Sequence, residues 1–89
     1  NKMDQNELII FGTNSCERFK KLLKDLIDIE FPFKPYFLNT FHGHQFFKIY
    51  TRRYPINVDI IDSSFPVVCI KNKKKYLTNP SVEEIRESL

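Results

Sequence analysis

Two segments of this chain carry residue types that could do chemistry. The first centres on Cys16, which lies between an apolar run, Glu7-Leu8-Ile9-Ile10-Phe11, and an amphipathic helical pattern beginning near Ser15. A thiol at a strand-to-helix turn sits among N–H groups that have no partner within the helix, at the positive end of the helix dipole. Both favour the thiolate, the nucleophilic form in disulfide chemistry. The second segment is Ser64-Phe65-Pro66-Val67-Val68-Cys69-Ile70, a proline opening an apolar strand. There Cys69 reads as a small buried hydrophobe, the other reading being a partner for Cys16. His42-Gly43-His44 has no cysteine or carboxylate cluster near it in sequence. Two imidazoles do not make a tetrahedral site, so a polar turn is expected here and no metal.

The elements that must position these groups follow from patterning. Residues 7–11 form a short continuous apolar run, the mark of a buried strand. A turn follows at Gly12-Thr13-Asn14-Ser15, with Asn14 expected to cap the next helix and Glu17 to complete a capping box. Phe19, Leu22, Leu23, Leu26 and Ile27 recur at helical spacing, with Lys20, Lys21, Lys24, Asp25 and Asp28 on the other face. Phe31-Pro32 ends that helix. Residues 33–39 read as a strand with Pro35 at its start or on an edge. Phe41-His42-Gly43 reads as a turn, and residues 44–54 as a second helix stopped before Pro55. Residues 56–64, with Val58, Ile60 and Ile61, fit either a short strand or a buried loop. Residues 67–71 and 74–78 read as strands joined by Asn72-Lys73 in a tight hairpin. Pro80, Ser81 and Glu84 announce the last helix, with Ser81 as cap and Val82, Ile85 and Leu89 as its apolar face. The order β-α-β-α-β-β-α predicts an α/β fold: a four-stranded mixed sheet flanked by three helices on its two faces.

This order resembles that of the glutaredoxins within the thioredoxin-fold superfamily. Phe11-Gly12-Thr13-Asn14-Ser15-Cys16 is similar to the strand and loop leading to their nucleophilic cysteine. Phe65-Pro66-Val67-Val68-Cys69-Ile70-Lys71-Asn72-Lys73 resembles the family's cis-proline, valine-rich strand and hairpin. Asn79-Pro80-Ser81 falls where the family has a turn and helix N-terminus that hold a glutathione carboxylate. The resemblance implies a thioredoxin-like fold, Cys16 as catalytic nucleophile, and a substrate site at Thr13, Phe65, Pro66, Asn79 and Ser81. The Phe65–Pro66 backbone would pair with an extended substrate strand, and the helix end at Ser81 would meet a carboxylate. The departures are equally specific. The family's C-x-x-C or C-x-x-S is here Cys16-Glu17-Arg18-Phe19, Thr13 replaces a lysine, and Thr78-Asn79 replaces a Gly-Gly pair. Phe19 cannot resolve a mixed disulfide, and the charge of Glu17 opposes thiolate formation. The implied activity is therefore monothiol exchange on glutathione mixed disulfides, with glutathione as the one small-molecule partner. The alternative is a redox-inactive thioredoxin-fold module that binds another protein. Arg18 reads as a solvated helix residue.

Composition bounds both readings. Eighty-nine residues make one domain, 1–89, with residues 1–6 expected to be a tag remnant or flexible. A chain this size buries roughly two-thirds of its unfolded surface. With 42% hydrophobic and 28% charged residues it is globular in composition, and nine Phe and four Tyr supply an aromatic core. No apolar run approaches a membrane span and no signal peptide is visible. Two cysteines in such a chain suggest a reducing compartment, the cytoplasm, with protein thiols or a protein partner as the expected contacts. Heavy use of Lys, Asn, Ile and Phe suggests an A/T-rich genome, viral or parasitic. The net charge of +3, densest at Lys73-Lys74-Lys75, reads as a solvated hairpin tip, so nucleic acid is not an expected partner.

Overall fold

The computed structural model describes residues 7–56, 64–71 and 74–89. Its elements are β1 (Leu8–Gly12), α1 (Glu17–Asp28), β2 (Lys34–Phe37), α2 (Phe41–Arg53), β3 (Val67–Ile70), β4 (Lys75–Thr78) and α3 (Val82–Ser88). The uninterrupted apolar run of β1 is explained by its place in the sheet. It lies between β2, parallel to it, and β3, antiparallel to it, in the order β2-β1-β3-β4. Both faces of a central strand are covered, so every residue of β1 is buried. Leu8 and Ile10 pack with Phe19, Leu22 and Leu26 of α1 and Ile85 of α3. Ile9 and Phe11 face the other way, toward Tyr50 of α2, in an aromatic layer with Tyr36, Phe46, Phe47 and Tyr76. β3 alternates likewise: Val68 and Ile70 join the first layer, Val67 and Cys69 the second. The result is an α/β domain with α1 and α3 on one face of a four-stranded mixed sheet and α2 on the other, the architecture of a thioredoxin-like fold.

Pro35 lies on the edge strand β2, where a missing N–H costs no interior ladder bond. Four local expectations are corrected. Asn14 does not cap α1: the N-cap is Cys16, with extended backbone and no side-chain cap bond. The carboxamide of Asn14 instead accepts from Asn39 Nδ2 at 3.2 Å, and Glu17, in the first turn, pairs with Lys20. Ile27 is 62% exposed although it follows the helical repeat. At 100° per residue it lies 80° from Phe19, on the rim of the apolar stripe. Phe41-His42-Gly43 is the first turn of α2, capped by Thr40, whose hydroxyl accepts from Gly43 N at 3.1 Å. The expected capping box at Ser81 and Glu84 is present. The readings for residues 57–63 and for the Asn72-Lys73 turn lie outside the described residues.

Candidate functional site

The antiparallel pairing of β1 and β3 sets Phe11 opposite Val67. The C-terminal end of β1 and the N-terminal end of β3 therefore lie at one end of the sheet, with Cys16 just beyond the first and Pro66 just before the second. Phe65–Pro66 is a cis peptide bond. The loop between β1 and α1 is held by its own backbone: Cys16 N–H donates to Thr13 O, and Lys20 N–H to Cys16 O, both at 3.1 Å. The side chain in the N-cap position of α1 is thus the thiol itself, half-buried against the α1–α3 core layer. Phe19, at the position of a resolving cysteine, has its ring in that core, edge-on to Phe37 at 5.3 Å. It packs over Gly12, where a Cβ would strike the ring. Glu17 beside the thiol is 86% exposed and 3.5 Å from Lys20, so solvent and a cation screen its charge.

Cys69 is buried in the aromatic layer on the opposite face of the sheet, and burial pushes its thiol well above the ordinary range. The sheet stands between the two cysteines, and both are free. Among the described residues no group of His, Cys, Asp or Glu is arranged to hold a metal ion.

A groove of about 600 Å³ runs along the cleft between α1 and α3. Asn79 and Ser81 line it, together with Arg18, Lys21 and Asp25 from α1. Thr13, Phe65 and Pro66 do not line it. The Thr13 hydroxyl lies 3.2 Å from that of Ser15. Asn79 takes a left-handed backbone (φ 47) and donates its N–H to Pro66 O at 2.8 Å, tying the turn before α3 to the proline. Ser81 is already engaged: its N–H donates to Glu84 Oε1 at 2.8 Å, and its hydroxyl accepts from Glu84 N at 3.2 Å. The chain's own carboxylate thus occupies part of the helix end to which the resemblance assigned a ligand carboxylate.

Arg18 is exposed on α1, as a solvated helix residue is, and it also has a partner that the sequence did not announce. Its Nε donates to Phe65 O at 3.2 Å, linking α1 to the residue before the cis bond. Its spacing offered a signal, because Arg18, Lys21 and Asp25 fall at i, i+3 and i+7, one stripe of α1. Lys21 is ion-paired to Asp25 at 3.0 Å.

No family model matches the chain, and neither a curated protein nor a solved structure matches it. Among the described residues no helix is long and apolar enough to cross a membrane. What the geometry defines is a class, an α/β domain of thioredoxin-like fold with one half-buried cysteine at the strand-to-helix end of its sheet.

Proposed function

We propose that the protein is a monothiol, glutaredoxin-like thiol–disulfide protein acting on glutathione mixed disulfides in a reducing compartment. The observation that carries this reading is Cys16 in the N-cap position of α1, at the same end of the sheet as the cis Phe65–Pro66 bond. In the first step the Cys16 thiolate attacks the glutathione sulfur of a mixed disulfide. A Cys16–glutathione disulfide forms and the substrate leaves as its thiolate. A second glutathione thiolate then attacks the glutathionyl sulfur of that disulfide, giving oxidised glutathione and regenerating the Cys16 thiolate. Arg18 and Lys21 line the groove between α1 and α3, where they would be the cationic groups for a glutathione carboxylate, Lys21 in exchange for its Asp25 partner.

A second reading, a redox-inactive module that binds a protein partner, is favoured by two observations. Phe19 fills the resolving position with core, and Arg18 already engages the Phe65 carbonyl to which a substrate strand would dock. A coupled assay of glutathione oxidation, with a glutathionylated small thiol as substrate, separates the readings. Slow turnover is expected for the wild type and none for Cys16→Ser. Thr13→Lys restores a charge-assisted hydrogen bond of about 1.5–3 kcal/mol, about ten- to a hundred-fold in binding. An inactive wild type that Thr13→Lys with Glu17→Pro does not rescue would leave only the protein-binding reading.

A further inference from the structure

Five basic residues from three segments lie toward the end of the sheet away from Cys16, with Lys48 a turn further back on α2. Arg52 and Arg53 close α2, Lys71 follows β3, Lys74 precedes β4 and Lys75 opens it; all six are exposed. In sequence the two groups are well separated, and the lysine run by itself reads as a solvated hairpin tip. The fold joins them. Tyr76 of β4 donates its hydroxyl hydrogen to the Tyr54 carbonyl at the end of α2. The Tyr50 ring packs edge-on to Tyr76 at 6.3 Å and against Tyr54 at 5.0 Å. Lys74 N–H donates to Lys71 O, which sets those two lysines on one turn. Arg53 Nε donates to the Tyr54 hydroxyl at 3.2 Å. The Tyr54 phenol is held below its usual range, first by that hydrogen bond and then by the nearby charges of Arg53, Lys74 and Lys71.

This positive charge is not neutralised as it is elsewhere. On α1, Lys20, Lys21 and Lys24 each pair with a carboxylate of the same helix. Among the described residues, no carboxylate lies within ion-pair distance of Lys48, Arg52, Arg53, Lys74 or Lys75. Lys71 shares Glu7 with Lys34, which is the closer at 2.8 Å against 3.5 Å. The sequence from Phe31 to Val58, and again from Ser63 to Val82, contains no Asp or Glu. Asp59 and Asp62, between those stretches, lie outside the described residues.

Apolar groups accompany the charge. Phe41 is 81% exposed and Ile49 is 63% exposed. At 100° per residue Phe41, Lys48 and Arg52 fall within an arc of about 40°, along about 16 Å of helix. The exposed apolar side chains therefore share the cations' side of α2, Ile49 next to Lys48 and Phe41 about two turns before it. The truly apolar face of α2, with Phe46, Phe47 and Tyr50, is packed on the sheet. A helix that inserts into a bilayer needs that face free, which argues against lipid. Clustered cations with an exposed aromatic ring are the combination that holds single-stranded nucleic acid, the cations taking phosphates and the ring a base.

We propose that this face, from the exposed side of α2 to the base of the β3–β4 hairpin, binds the phosphate backbone of single-stranded nucleic acid, with Phe41 stacking on an unpaired base. The cations of this surface lie toward the end of the sheet away from Cys16, Phe41 lies at the other end of α2, and binding there does not use the thiol. The test is fluorescence anisotropy of a labelled oligothymidylate, titrated with the full chain between about 50 and 200 mM salt. Arg53→Ala with Lys74→Ala should weaken binding at least about tenfold and flatten the log–log salt dependence by about 0.7 for each phosphate no longer neutralised. Phe41→Ala should cost about tenfold without changing the salt slope. Lys21→Ala with Lys24→Ala removes the same charge from α1 and should change little, and Cys16→Ser should bind as wild type. Arg53→Lys with Lys74→Arg should retain binding, which separates lost charge from lost fold. The proposal is overturned if the two double-alanine variants weaken binding equally, or if the wild type ignores the oligonucleotide yet binds phosphatidylserine vesicles or a poly-glutamate peptide.

Discussion

At the residue scale, Gly43 sets a simple propensity argument against packing. In an open helix, Gly→Ala gains about 1 kcal/mol. Gly43, however, sits where α2 closes on the end of β2, and a Cβ there would strike the backbone carbonyl of Phe37. That same carbonyl accepts the Thr40 hydroxyl at 2.7 Å, so it cannot retreat without loosening the cap. Gly43→Ala is therefore expected to destabilise, by about 1–3 kcal/mol in urea unfolding, the range for overpacked sites. A gain in stability would mean that α2 can slide away from β2. Cys69 gives the complementary case, a thiol used as a hydrophobe. Cys69→Ser places a hydroxyl in the aromatic layer and is expected to cost about 1–3 kcal/mol while leaving glutathione-dependent turnover unchanged. Equal loss of turnover in Cys16→Ser and Cys69→Ser, with the fold intact, would show that the two thiols act together despite the sheet between them.

At the element scale, the sheet is clasped at the start of β1 by Glu7. Its carboxylate meets Lys34 of β2 at 2.8 Å and Lys71 beyond β3 at 3.5 Å, so one residue ties the central strand to both neighbours. The Lys34 hydrogen bond, and then the charge of Lys71, hold the Glu7 carboxyl below the usual range against the opposing effect of burial. A depressed carboxyl contributes its stability above the ordinary carboxylate pKa and loses it as pH falls through the lowered native value. Glu7→Gln is expected to lower Tm at pH 7 by about 2–4 °C, since the pair is partly exposed, and to leave Tm at pH 2 nearly unchanged. A constant difference at both pH values would assign the effect to packing. The helices show how local signals divide. The α3 capping box is legible because Ser81 and Glu84 satisfy each other within one turn. The start of α1 is not, because its cap is made by backbone bonds to Thr13 and Cys16 that no side-chain code announces.

At the scale of the whole molecule, the two sides of the sheet differ in chemistry. The α1–α3 side is a mostly aliphatic layer, with Phe19 in it, beneath an α1 surface laced with ion pairs; the α2 side is an aromatic layer whose hydroxyls come from Tyr36, Tyr50, Tyr54 and Tyr76. Burial, and then the neighbouring Cys69 and Tyr54, push the Tyr50 phenol up to about 12, and burial pushes Tyr76 up as well. The unfolded chain loses these protons near pH 10 while the native state keeps them. Stability should then fall as pH rises from about 10 towards 12. Chemical unfolding of Tyr50→Phe across that range should show a shallower alkaline decline than wild type. An identical decline would mean that groups outside the aromatic layer drive it.

The sequence by itself determined the elements, their order and the burial of β1, because hydrophobic period and turn chemistry are local quantities. It also marked Cys16, since a thiol between a strand and a helix is visible without a third dimension. Tertiary structure decided what depends on contacts between distant residues. It gave Arg18 a partner at Phe65 and turned Ile27 outward at the rim of its stripe. It also gathered Arg53, Lys71 and Lys74 around Tyr54. Charge and hydrogen bonding act over a few ångströms in space, and chain separation does not record that distance until the strands have paired and the helices have packed.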